Sequence, residues 1–135
     1  MDAINIAAII EADRRKVWDY YTQAEHITGW NFADPSWHCP AALSDLRPGG
    51  RYFARMEARD GSFGFDFEAT FTEVVEHECL AYTFGGRTAR VEFRDVEQGT
   101  EVGVTFDPEE ENPVELQKSG WQSIINQFKS YTEAN

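Results

Sequence analysis

A chain of 135 residues, 41% hydrophobic and 14% aromatic, carries enough buriable surface to fold as one domain, residues 1–135, without a metal or disulfide. Its 24 acidic and 12 basic residues give a formal net charge of -12, which repels phosphate backbones and anionic lipid, so neither nucleic acid nor membrane is an expected partner. The N-terminal apolar run is short and flanked by acids, unlike a signal peptide or spanning helix, so the expected compartment is the cytoplasm.

Ile4, Ile6, Ala8 and Ile10 alternate with Asn5, Ala7 and Ile9, the period of a first strand. Asp13 is placed to cap a helix over Arg14–Thr22, whose apolar face is Val17, Trp18 and Tyr21. A shorter helical stretch, Ala24–Ile27, is expected to end at Gly29 through a left-handed stop. Residues 31–50 lack clear periodicity and read as a loop forming a rim or lid, with Phe32 and Trp37 in it and Trp30 just before it.

From Arg51 to Phe106 the period is two. Tyr52, Ala54, Met56 and Ala58 share one strand face, and Asp60-Gly61 makes a hairpin signal. Phe63, Phe65, Phe67, Ala69 and Phe71 then alternate with polar residues. Leu80, Tyr82 and Phe84, then Ala89, Val91 and Phe93, then Val102, Val104 and Phe106 mark three further strands. With no helices between them, these strands should form an antiparallel meander. Pro113 suits a first helical turn with Asn112 as its cap, and Val114, Trp121, Ile124, Ile125, Phe128 and Tyr131 form one face of a long C-terminal helix.

Reactive constellations are sparse. His26, His38, Cys39, His77 and Cys79 are the candidate metal ligands, yet their spacing matches no tetrahedral zinc pattern, and the two cysteines are expected to be free. Ser36 near His38 has no nucleophile elbow around it. Asp66 and Glu68 flank Phe67, but alternation turns them away from the aromatic face. No catalytic residue, metal or cofactor is assigned.

The layout implies an α+β fold in which a curved antiparallel sheet of about six to seven strands wraps around the C-terminal helix, with two short helices after strand 1. Ala12-Asp13 with Val17-Trp18, Ala24–Ile27 with Trp30, Asp45–Tyr52, Gly99-Thr100 and Gly120-Trp121 occur in an order that resembles one family. It is the activator of heat-shock-protein-90 ATPase homologue family, within the START-like (SRPBCC) helix-grip superfamily. The sequence differs from the commonest pattern at Asp13, where Pro is frequent, and at Asn31, where a second Trp is frequent. The resemblance implies a helix-grip fold in which Gly49-Gly50 turns into a strand and Gly120 lets the last helix approach the sheet. It implies either a small apolar molecule held in a cavity or contact with a chaperone, and in some members a cyclase- or hydrolase-type reaction in the same cavity.

The rings have two readings, as core filler or as cavity lining. The candidate lining comprises Trp30, Phe32, Trp37, Tyr52, Met56, Phe65, Phe67, Phe71, Tyr82, Phe84, Phe93, Phe106, Trp121, Ile125 and Phe128, with Tyr52, Tyr82, Arg90 and Thr105 as groups able to orient a ligand. The expected role is a binding module for an apolar or aromatic small molecule, acting as monomer or homodimer. The alternatives are a chaperone-linked interaction protein and an enzyme using the cavity. The acidic run Glu109–Glu111 is a candidate contact for a partner.

Overall fold

The computed structural model describes residues 2–135. In chain order the elements are β1 (Ile4–Ile10), α1 (Arg14–Thr22), α2 (Ala24–Ile27), β2 (Trp37–Ser44), β3 (Arg51–Ala58), β4 (Gly64–Val75), β5 (Cys79–Phe84), β6 (Arg87–Val96), β7 (Gly99–Phe106) and α3 (Val114–Ala134). The strands form one antiparallel sheet in the order β1-β7-β6-β5-β4-β3-β2. It curls into a half-barrel around α3, the helix-grip arrangement expected from the sequence.

Alternation sorts the two faces as read. Tyr52, Ala54, Met56 and Ala58 on β3 are buried, whereas Asp66 and Glu68 on β4 are exposed and paired with Arg55 and Arg51 across the outer face. β4 carries a bulge between Phe71 and Glu73, so its inward positions step from Phe71 to Val74 rather than by two. Such an insertion bends a strand and increases its twist, which helps close the sheet over the helix.

One strand was hidden. β2 lies inside the stretch expected to be an aperiodic loop. Its alternation is lost because the register slips between His38 and Ala41, around Pro40. Proline cannot donate to a ladder and is tolerated here because β2 is an edge strand.

The opposite edge, β1, is closed by α3. Gln122 Nε2 donates to Ala7 O at 3.1 Å and Lys129 Nζ to Ile9 O at 2.6 Å. Glu133 Oε2 accepts from Glu11 N at 2.8 Å and pairs with Lys129. These side chains occupy backbone groups that β7, on the other side of β1, does not reach. The apolar face of the same helix brings Ile125 and Phe128 into the core.

Several local expectations need correction. Gly29 does not take a left-handed backbone; a Cβ there would lie 2.3 Å from the ring of Tyr131, so the glycine serves close packing of the α2 end on α3. Gly120 has no such role, since a Cβ would meet nothing within 4 Å. Asn112 does not cap α3. Instead Gln117 donates to Glu109 O and Asn112 O and accepts from Glu109 N, tying the acidic linker to the first turn. At the start of α1, Asp13 Oδ1 does accept from Lys16 N at 3.0 Å. His77, one of the candidate metal ligands, sits in the β4–β5 turn with φ 65°, and Cys79 begins β5.

Two measurements check these contacts. Gly29→Ala should cost about 1–3 kcal/mol by overpacking, and most of that loss should vanish in a Tyr131→Ala background, read as coupling in a urea-denaturation double-mutant cycle. The Lys129 ion pair, then the Glu11 amide, hold the Glu133 carboxyl below its usual pKa. Its stabilisation is therefore complete above the unfolded value of about 4.3 and fades as pH falls through the lowered folded value. Glu133→Gln should cost about 0.2–1 kcal/mol near neutrality and progressively less in acid, as followed by denaturation at several pH values.

Candidate functional site

Between α3 and the concave face lies a cavity of about 250 Å³. Strands β3 to β5 contribute Tyr52, Met56, Phe65, Phe67, Tyr82 and Phe84 to its wall. Helix α3 supplies Trp121, Ile124 and Ile125, strands β1 and β7 supply Ile6 and Val104, and the α1–α2 region supplies Tyr21, Trp30 and Asn31. Arg87 and Phe65 mark the mouth. Phe65 is 46% exposed, while Arg87 is half-buried with its guanidinium over the Phe84 ring and Nη1 donating to Asp107 O at 3.3 Å.

The cavity exists because the rings around it brace one another instead of meeting in its centre. Trp121 stacks on Phe106 with centroids 3.9 Å apart and 8° between planes, which holds its ring at the wall. Trp30 is stacked on Tyr21 and meets Phe128 edge-on at 5.0 Å, and its Nε1 donates to Tyr20 O. Tyr52 stacks on Phe71 and meets Tyr82 and Phe67 edge to face. Edge-to-face and offset contacts of this kind favour fixed ring orientations.

Nine of the candidate lining residues therefore meet at the cavity: Trp30, Tyr52, Met56, Phe65, Phe67, Tyr82, Phe84, Trp121 and Ile125. Six lie elsewhere. Phe71, Phe93, Phe106 and Phe128 are packed in the main core, where they support the lining rings from behind. Phe32 and Trp37 are half-buried against the small cluster of Cys39, Ala54 and Met56, and Trp30 is fully in the core, so no aromatic lid forms from residues 31–50. The orienting groups divide likewise. Tyr52 and Tyr82 face the cavity, whereas Arg90 pairs with Glu73 and Thr105 bonds Asn5 on the outer face.

Ile6, Tyr21, Asn31, Arg87, Val104 and Ile124 also line the cavity, beyond the residues expected from the sequence. Ile6, Tyr21, Val104 and Ile124 were on recognised apolar faces, so the signal for them was present. For Asn31 and Arg87 no periodicity pointed inward.

Electrostatically the wall is neutral apart from Arg87. Burial pushes the Tyr21, Tyr52 and Tyr82 phenols well above the usual tyrosine range, and at Tyr52 and Tyr82 the neighbouring phenols add to the effect. Cys39 lies near Tyr52, and burial raises its thiol to about 11. The lining includes no carboxylate, histidine or cysteine among the described residues. His26 is stacked on Tyr20 and bonded to Tyr131, His38 neighbours Glu57, and Cys39 and Cys79 are free thiols. Among the described residues no three His, Cys, Asp or Glu side chains group as metal ligands, and no helix is long and apolar enough to cross a membrane.

Comparison with known proteins agrees with this architecture. The family described as "Activator of Hsp90 ATPase homolog 1-like protein" matches residues 11–133. The solution structure of an AHSA1-like protein from Aeromonas hydrophila is 40% identical, with a TM-score of 0.93, covering 98% of this chain and 92% of that one. The solution structure of Chr148 from Cytophaga hutchinsonii is 45% identical, with a TM-score of 0.83 over 98% and 93%. Protein CV1439 from Chromobacterium violaceum shares the fold at 18% identity, with a TM-score of 0.86 over 100% of both chains. No match was found among the curated proteins. With the family match spanning all but the ends of the chain, the protein belongs to the family of activator of Hsp90 ATPase homolog 1-like proteins.

Proposed function

We propose that this protein binds an apolar or aromatic small molecule in the cavity between α3 and the sheet. The observation that carries the reading is an unfilled, ring-lined space of about 250 Å³ in a chain with ten phenylalanines, enough to close a core of this size. Small-molecule sites are typically about 300–1,000 Å³, mostly apolar, with a few placed polar groups. This cavity stands just below that range, which favours a compact ligand. The wall combines Trp, Phe and Ile surfaces with phenol hydroxyls and one guanidinium at the mouth.

A second reading follows from the family description, which names activation of a chaperone ATPase. The feature that favours it is an exposed aromatic patch near the cavity mouth. Phe63 and Phe65 are 68% and 46% exposed, and each lies about 6 Å from the half-buried Trp37. Contiguous exposed apolar surface, when large, marks contact sites. Under this reading the protein raises the ATPase rate of an Hsp90-type chaperone, and Phe63→Ser removes the increase without disturbing cavity binding. An unchanged ATPase rate with the native protein eliminates it.

For the cavity reading, Nile red should gain fluorescence on mixing with the native protein. Ile124→Trp, which adds bulk at the half-buried wall, should abolish that gain while the variant still melts cooperatively. A native protein that takes up no apolar probe overturns the reading. Trp121→Ala should cost less than the roughly 3–5 kcal/mol of a fully buried tryptophan, because one ring face borders the cavity, and should weaken probe binding. Urea denaturation and dye titration on the same variant measure both.

A further inference from the structure

Buried polar side chains in this protein mostly find a partner within the fold. Thr22 Oγ1 donates to Trp18 O at 2.8 Å, Thr100 Oγ1 to Ala12 O at 2.9 Å, and Gln117 bonds the acidic linker three ways. Four groups at the cavity do not follow this rule. Tyr21, Tyr52, Tyr82 and Asn31 are 9%, 7%, 4% and 4% exposed, and among the described residues none of their side chains has a hydrogen-bond partner, unlike the hydroxyls of Tyr20 and Tyr131. They are not sealed in either, since the enclosed and unpaired side-chain atoms are Ser44 Oγ and Thr132 Oγ1. All four residues line the cavity, and Tyr21 and Tyr52 also border a smaller space beside Ser44.

Leaving polar groups unpaired in an apolar wall costs stability, and the cost is recovered when a guest completes the bonds. The chemistry of these four groups specifies the guest. The phenols stay protonated throughout the ordinary pH range, because burial opposes their ionisation, and so remain able to donate. Asn31 adds two amide donors and one acceptor. A donor-rich cluster calls for an acceptor oxygen. A carboxylate would bring a full charge into an apolar enclosure whose only lining cation among the described residues, Arg87, sits at the mouth and is already engaged by Phe84 and Asp107 O. Neutral donors compensate poorly for that desolvation.

Resting on the reading of the cavity as a small-molecule site, we infer that it selects a neutral, flat ring molecule bearing one carbonyl-type oxygen. The oxygen is received by Tyr21, Tyr52, Tyr82 and Asn31, and the rings lie against Phe67 and Trp121. The cavity's modest volume limits the guest to one or two rings.

Three probes of nearly equal shape test this on the full chain by NMR titration: 2-acetylnaphthalene, 2-ethylnaphthalene and 2-naphthoate. The ketone should bind about tenfold more tightly than the hydrocarbon, the scale of one or two hydrogen bonds, and more tightly than the anion. Tyr52→Phe and Tyr82→Phe, each deleting an unpaired hydroxyl, should still melt cooperatively, lose the ketone preference and keep hydrocarbon binding. Should either fail to fold, Tyr21→Phe provides the same comparison. Equal binding of ketone and hydrocarbon, tightest binding of the naphthoate, or a ketone preference that survives the hydroxyl deletions overturns the inference while leaving the cavity reading intact. Failure of all three probes to bind overturns both.

Discussion

The way α3 is fixed governs the rest of the structure. Gln122, Lys129 and Glu133 bind the helix to the open backbone of β1, so its position is set at one margin of the sheet by polar contacts. The sheet then curls over it from that margin, helped by the bulge in β4. A helix held along one edge does not have to fill the whole hollow that the strands enclose. Near its C-terminal half, Phe128 does fill it; further towards the N-terminal end, around Trp121, Ile124 and Ile125, space remains.

That division explains how a chain so rich in rings retains a cavity. Phe93, Phe106 and Phe128 each lock against a neighbour, and the neighbour, whether Tyr21, Trp30 or Trp121, is thereby prevented from turning into the empty volume. Close-packed interiors are stiff, and a ring braced on one side cannot collapse towards the other without losing those contacts. The core and the cavity are two sides of the same aromatic layer. Substitutions in the packed half should therefore alter the shape of the open half.

Much of this architecture was legible in the chain itself. The inward alternation of Tyr52 to Ala58, the helical spacing of Trp121 to Tyr131, and the Asp13 cap all rest on local periodicity or local hydrogen bonding, which a sequence records directly. β2 was not legible, because Pro40 and the bulge erase the alternation that would reveal a strand. Gly29 was misread for a different reason: its constraint comes from Tyr131, about a hundred residues away, and local rules see only its neighbours. The same limit applies to the candidate site. Periodicity distinguishes inward from outward, but it cannot separate Phe106, which supports a wall, from Trp121, which forms it. Asn31 sits in no periodic element, so only the folded chain brings it beside three phenols.

The two margins of the sheet are guarded by unlike means. Whereas β1 is occupied by side chains from α3, β2 pairs with β3 alone and carries Pro40, which has no amide hydrogen, with an interrupted register beside it. A foreign strand approaching that side would find the hydrogen-bonding template broken partway along. The irregularity that obscured β2 in the sequence thus works against templated growth into fibrils, and replacing the proline would remove an obstacle to self-association rather than merely regularise a strand.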